Sequence, residues 1–261
     1  MDEATKMPAL FVGHGSPMNT LENNRYTDAW RDFGSNTPKP RAILAISAHW
    51  YTTYTAVTAM AHPRTIHDFA GFPDELFAVQ YPAPGSPELA EEVADLAAPT
   101  SVGRDTGWGL DHGTWSVLVH MYPDADIPVA QLSIDARQRP EFHVELGARL
   151  APLRERGVLI VASGNVVHNL GRIRPQYPDA GEDWARRFDA AAIELMTQRP
   201  RDIAELIGHH DYRAAAPTPE HLLPLYYLAG LAYADGRGAD VLVEGCALGS
   251  LSMTSYVVGR A

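Results

Sequence analysis

Three stretches of this chain are apolar without interruption, and each is followed within a few residues by a histidine. Ala-Leu-Phe-Val at 9–12 leads through Gly13 to His14, Ala-Ile-Leu-Ala-Ile at 42–46 leads to His49, and Val-Leu-Ile-Val-Ala at 158–162 opens onto Ser-Gly-Asn and then His168. A strand with one wet face alternates apolar and polar residues. Unbroken runs therefore predict strands covered on both faces, as in a parallel sheet with helices packed on each side. Parallel strands present their carboxyl ends along one edge, and ligands of open α/β sheets bind beyond that edge. Histidines delivered there can meet. Gly13 and Gly15 flank His14 without a Cβ, which lets the backbone turn sharply and a bulky group approach the imidazole.

Elsewhere the periodicity is mostly helical. Helices are expected over 26–33, over 86–96 with Ser86 as cap and Pro87 in the first turn, from His112 to Met121, and over 139–153, 182–197 and 201–207. A Pro-rich, capped start at 217–225 leads into an apolar helix with His221 in its first turn. Further strands are expected over 52–60, 127–133, 240–247 and 251–258, the last two forming a hairpin across Gly249 and Ser250. No repeat, low-complexity segment or long linker divides the chain. Residues 1–261 thus read as a single α/β domain, a mostly parallel central sheet flanked by helices.

The formal net charge of -11 argues against nucleic acid or an anionic membrane surface as partner, because phosphates would be repelled. The longest mostly apolar stretch, 222–234, is shorter than the ~20 residues a bilayer span needs. The start, Met-Asp-Glu-Ala-Thr-Lys, lacks the basic and apolar regions of a signal peptide. Cys246 is the single cysteine, so no internal disulfide can form, and a reducing compartment is compatible. The expectation is a cytoplasmic protein, monomeric or a small homo-oligomer.

Of the 11 histidines, His62, His120, His143, His209 and His210 lie in surroundings with no partner pattern and are assigned structural or solvent roles. His14, His49 and His168 follow strands, and His221 begins a helix. Side chains can converge from such places on one cleft and hold a single divalent ion. Neutral imidazoles bind zinc or ferrous iron, and one cysteine cannot make a thiolate-rich site. None of these histidines belongs to a short local motif such as His-Glu-x-x-His. For His112, beside Asp111, two readings stay open: the carboxylate fixes the histidine's tautomer, or it simply caps the helix. Phe69 and Phe72 either wall a pocket for a flat ligand or plug the core.

Six motifs in this order carry a resemblance: Gly-His-Gly-Ser-Pro at 13–17, Ser-Ala-His-Trp at 47–50, Ile-His-Asp-Phe-Ala-Gly-Phe-Pro at 66–73, Gly-Leu-Asp-His-Gly at 109–113, Ser-Gly-Asn-Val-Val-His-Asn at 163–169 and Pro-Glu-His-Leu-Leu-Pro-Leu at 219–225. Together they resemble the DOPA 4,5-dioxygenase group of the class III extradiol ring-cleavage dioxygenases. The resemblance implies a nonheme ferrous site that opens a catechol beside its hydroxyl pair with O2, giving a muconic semialdehyde. Carried over by position, it implies metal ligands at His14, His49 and His221, with His168 as a catalytic histidine or fourth ligand and His112 as a second catalytic histidine of the pocket. His221 stands where the wider superfamily has a carboxylate. Such an all-nitrogen site holds zinc well, and Glu220 is the nearby carboxylate that could coordinate instead. Trp50, Phe69 and Phe72 are the expected ring contacts. A zinc hydrolase and a non-enzymatic binding protein on the same scaffold are the competing readings. Ring-fission colour with matched O2 uptake separates the first from the dioxygenase, and metal retention with turnover separates the second.

Overall fold

The computed structural model describes residues 6–259, so the polar start at 1–5 read above lies outside the described residues. The strands are β1 (Ala9–Gly13), β2 (Ala42–Thr52), β3 (Ala56–Thr58), β4 (Gly103–Asp105), β5 (Val129–Asp135), β6 (Val158–Gly164), β7 (Asp240–Val243), β8 (Cys246–Ala247), β9 (Leu251–Ser252) and β10 (Ser255–Val258). Eight of them form one sheet in the order β4-β3-β5-β2-β6-β1-β10-β7. Its centre, β5-β2-β6-β1, is parallel throughout, as the unbroken apolar runs predict. Antiparallel β10 and β7 close one side; the strands expected over 240–247 and 251–258 each break in two, and β8 and β9 keep only a two-residue hairpin across Gly249 and Ser250.

The two faces of the sheet feed two separate cores, which explains why the central strands show no polar alternation. Phe11, Leu44, Ile46, Ile160 and Ala162 pack with Leu89, Leu146, Phe188 and Leu225 of the helices Pro87–Leu96, Pro140–Leu150, Asp183–Gln198 and Leu223–Ala234. Their neighbours Leu10, Val12, Ile43, Leu159 and Val161 pack with Trp30, Phe33, Trp115 and Leu118 of Arg25–Asn36 and His112–Met121. Successive strand residues point to opposite faces, so both sets must be apolar.

Four other local expectations change. The expected strand over 52–60 shrinks to β3, because the chain bends after Thr52 and the Ser133 hydroxyl joins the turn, accepting from the Ala56 N–H and donating to the Tyr54 carbonyl. The helix over 139–153 stops at Leu150, and Pro152 starts a separate short turn. The segment Pro200–Gly208 is a 3-10 helix. His221 lies in a turn ahead of Leu223–Ala234, whose start has no side-chain cap; the Pro219 carbonyl accepts from the Leu222 and Leu223 N–H groups instead.

Candidate functional site

β1, β2 and β6 end side by side, and the register brings Gly13 opposite Gly164 and Ser47 opposite Ser163. Beyond Ile46, β2 departs from β5: Ile46 pairs with Leu132, but the next pair is Tyr51 with Ile134. The extra residues between these pairs form a bulge carrying Ser47 and His49, a distortion that re-aims side chains at a sheet's rim. Gly113, at the start of the helix His112–Met121, leaves room for it. A Cβ there would stand 2.4 Å from the Ser47 Oγ and 2.8 Å from the His49 ring. The space beside Gly13 and Gly15 has a different use from the one expected, since Met253 fills it.

A cavity of about 370 Å³ opens at this rim, lined by His14, His49, His112, His168 and His221. Phe69 and Phe72 also line it, their rings 5.4 Å apart, with Phe69 edge-on to His112 at the same distance. Trp50 does not. Next to the inward His49 on its strand, it faces away and stacks on Trp108 at 5.6 Å, so the ring contact expected of it is not made from this position. Glu220 sits behind His221, 3.4 Å from its Nδ1, and accepts from the Thr218 hydroxyl.

The hydrogen bonds fix which ring nitrogens face the cavity. The Ser163 hydroxyl donates its one proton to the Gly113 carbonyl at 2.5 Å, so it can only accept from His14 Nδ1 at 2.9 Å. Asp68 accepts from the Nδ1 groups of His49 at 3.0 Å and His112 at 2.9 Å, and from the His112 backbone N–H at 3.0 Å. Each of the three rings is left with Nε2 free as a donor atom. The Nε2 atoms of His14 and His49 lie 3.3 Å apart. Metal–nitrogen bonds of about 2.0–2.1 Å put two donors on one ion at most ~4.2 Å apart, and this pair satisfies that limit.

Two triples contain this pair. The donor atoms of His14, His49 and His112 come within 4.8 Å of one another. The ring centres of His14, His49 and His221 form a nearly even triangle of 5.1, 5.5 and 5.0 Å. With bonds of that length each ring centre stands roughly 3 Å from the ion, so coordinating rings lie about 4.5–5.5 Å apart. The His14, His49 and His221 triangle matches this spacing. His112 lies 3.9 Å from His49, and His168 stacks on His221 at 3.5 Å, each pair closer than that spacing.

Burial and the mutual repulsion of the cluster hold His14 and His221 well below the ordinary histidine range. Burial takes His168 down to about 4 and lowers His112, against the pull of Asp68. His49 is opposed by burial too, but its hydrogen bond to Asp68 and the charges of Asp111, Asp68 and Glu220 outweigh it and raise its pKa. Asp68 itself, although partly buried, is held well below the carboxylate range by its hydrogen bonds to His112 and His49. It is the site residue that the sequence reading passed over, inside a motif read for its aromatics. Asp68→Asn should weaken metal binding 10–100-fold, the usual cost of losing an outer partner, as read by competition with a chelating dye; unchanged affinity would remove Asp68 from the site.

Asp111 caps its helix through the Thr114 N–H, which settles one of the two readings of that residue; the tautomer partner of His112 is Asp68. His120 and His143 have the structural partners expected, the Asn19 carbonyl and the Tyr227 hydroxyl. His209 and His210 gather with Asp211, whose carboxylate also accepts from Arg187.

A cluster of imidazoles that could hold one metal ion, at the rim of a doubly covered α/β sheet, has the form of a metal-dependent enzyme's site, and comparison with known proteins specifies the class. The chain belongs to the family described as the catalytic LigB subunit of aromatic ring-opening dioxygenase, which matches residues 9–259. It is 48% identical to the 4,5-DOPA dioxygenase extradiol of Escherichia coli (strain K12), over 98% of this chain and 96% of that one. The protein of the same name from Beta vulgaris is 38% identical over 95% and 94%. A crystal structure of an uncharacterized Escherichia coli K12 protein superposes with a TM-score of 0.84 at 44% identity, covering 97% of this chain and 99% of that one. The chain is thus an extradiol aromatic ring-opening dioxygenase. Among the described residues, no helix is long and apolar enough to cross a membrane.

Proposed function

We propose that the enzyme opens a catechol beside its hydroxyl pair, consuming O2 and releasing a muconic semialdehyde, with one ferrous ion held by His14, His49 and His221. The even triangle of those three rings is the observation that carries the assignment. Such an ion supplies the redox path that lets O2 react with an electron-rich ring. The chain supplies the rest. Phe69 and Phe72 form an aromatic wall against which a flat ring can lie. A catechol must lose a proton to become electron-rich enough, and a neutral imidazole is the suitable acceptor. His168, kept neutral at pH 7 by burial, takes it, and His112 accepts or returns a proton at Nε2, the nitrogen that Asp68 leaves free. The relatives' names make L-DOPA the first catechol to try.

An all-imidazole donor set also suits zinc. The deciding experiment is anaerobic loading with ferrous iron, followed by a catechol panel in air. A yellow ring-fission product with one O2 consumed per catechol is the expected result. Hydrolysis by the zinc form without O2 uptake would replace this reading with the hydrolase. A protein that neither retains metal nor turns over would point to a binding role.

A further inference from the structure

Resting on the catechol reading for what the rim does, we infer that Asp189 is a positioning residue for it: from outside the cavity its carboxylate holds the segment 250–254, and that segment seats both His168 and His14. Asp189 is buried in the helix Asp183–Gln198. Within the segment, the Ser252 N–H donates to the Val167 carbonyl at 2.9 Å, and the Ser252 carbonyl accepts from Asn165 Nδ2 at 2.7 Å. The Asn169 N–H donates to the Ser250 carbonyl, the Ser250 hydroxyl to the Asn169 carbonyl, and Leu251 pairs with His168 itself. Met253 then packs on both neighbours of His14. Its backbone would stand 2.7 Å from a Cβ at Gly13, and its Sδ closer still to one at Gly15.

The carboxylate anchors a clamp of four hydrogen bonds. Ser252 Oγ accepts from the Thr254 N–H at 3.2 Å and donates to Asp189 at 2.6 Å, while Thr254 Oγ1 accepts from the Gly245 N–H at 3.1 Å and donates to Asp189 at 2.7 Å. Each hydroxyl has one proton, and the alternative acceptor for Thr254, the Gly245 carbonyl, stands 3.5 Å away. Both protons thus point at Asp189, which must accept at both oxygens, as the ionised form does. Glu244, Cys246 and Tyr256 face it from the chain's last strands and their links. Arg25 and Arg186, which line the small cavity beside it with Asp179, are engaged by the Glu244 carbonyl and by Asp183. Among the described residues none supplies a cation to this carboxylate, and burial pushes its pKa up to about 6. Such a group costs stability at neutral pH; what it returns is a fixed geometry for 250–254.

The test reads hydrogen exchange on the zinc-loaded protein and turnover on the iron-loaded one. In the wild type, with intrinsic rates corrected for, peptides over 250–254 and 165–169 should lose protection roughly tenfold as pH falls through about 6, while those over β5 hold. Asp189→Asn aims a donor at a hydroxyl that already donates, so the same peptides should exchange fast at every pH and the step should vanish. Acid release of the metal would give the step in both proteins; its persistence in the variant therefore overturns the inference. With iron, the variant should keep its metal, hold KM within about twofold and lose kcat roughly tenfold or more, since a misplacement of about 1 Å costs on the order of 10²-fold. Ser252→Ala should show the same fast exchange and kcat loss, and combining it with Asp189→Asn should add little, because both break one clamp. Unchanged kcat, a loss confined to KM, or additive losses overturn the inference, and if Asp189→Asn does not fold, Ser252→Ala decides it alone. If no catechol drives O2 uptake in the wild type, the dioxygenase reading falls while exchange still decides whether Asp189 holds the segment.

Discussion

His49→Ala is expected to leave the protein with less than a tenth of its bound metal and with ring cleavage at background, while the fold survives. His49 supplies the Nε2 that stands 3.3 Å from that of His14, and the bulge in β2 that carries it packs closely against Gly113. Losing a donor outright should cost more than the 10–100-fold that follows loss of an outer partner. The position is at the rim rather than in either apolar core, so truncation should destabilise the fold by only about 1 kcal/mol. Metal analysis of the purified variant, beside circular dichroism and a melting curve, checks both halves. Full metal content would remove His49 from the ligand set.

The same residue sets the acid limit of metal binding. Two free nitrogens facing each other across 3.3 Å repel unless a cation lies between them, and either a metal ion or a proton can fill that gap. With Asp68 behind it, His49 is the ring of the cluster whose pKa is raised, so it takes the proton first as pH falls. Occupancy at fixed free metal should therefore decline on acidification beginning above the ordinary histidine pKa of ~6.5.

Much of this candidate site is legible in the sequence, and the part that is not has a physical cause. Unbroken apolar runs specify strands buried on both faces, and the parallel order then obliges His14, His49 and the segment bearing His168 to share an edge. That inference needs only the two-residue period and the direction of the chain. It fails where regularity fails. The bulge over 47–50 has no sequence signature, yet it decides that His49 turns inward and Trp50 outward onto Trp108. Asp68 was hidden for another reason. Its neighbour in the motif, Phe69, does line the cavity, but the carboxylate acts on histidines 19 and 44 residues away, and only folding shows that one side chain serves both. Likewise, Glu220 adjoins His221 in sequence and so looks like an alternative ligand, but its carboxylate falls behind the ring rather than in the cavity.

His112→Ala separates the two triples that share His14 and His49. If the ion sits among His14, His49 and His221, the variant should keep its metal and lose ring-cleaving rate by 10²–10⁴-fold, the range that a positioned acid or base contributes. His112 is suited to that work because Asp68 anchors both its Nδ1 and its backbone N–H, so the ring arrives at the substrate in one tautomer and one orientation. Burial lowers its pKa, which keeps Nε2 unprotonated at neutral pH and ready to accept. Where this group limits the rate, the acid limb of the pH profile should fall below the ordinary histidine range, and in the variant that limb should move. Loss of metal along with activity would instead place His112 among the ligands, in the triple whose donor atoms lie within 4.8 Å. The proton chemistry would then rest on His168 alone, and His168→Ala would have to show the rate loss with metal retained.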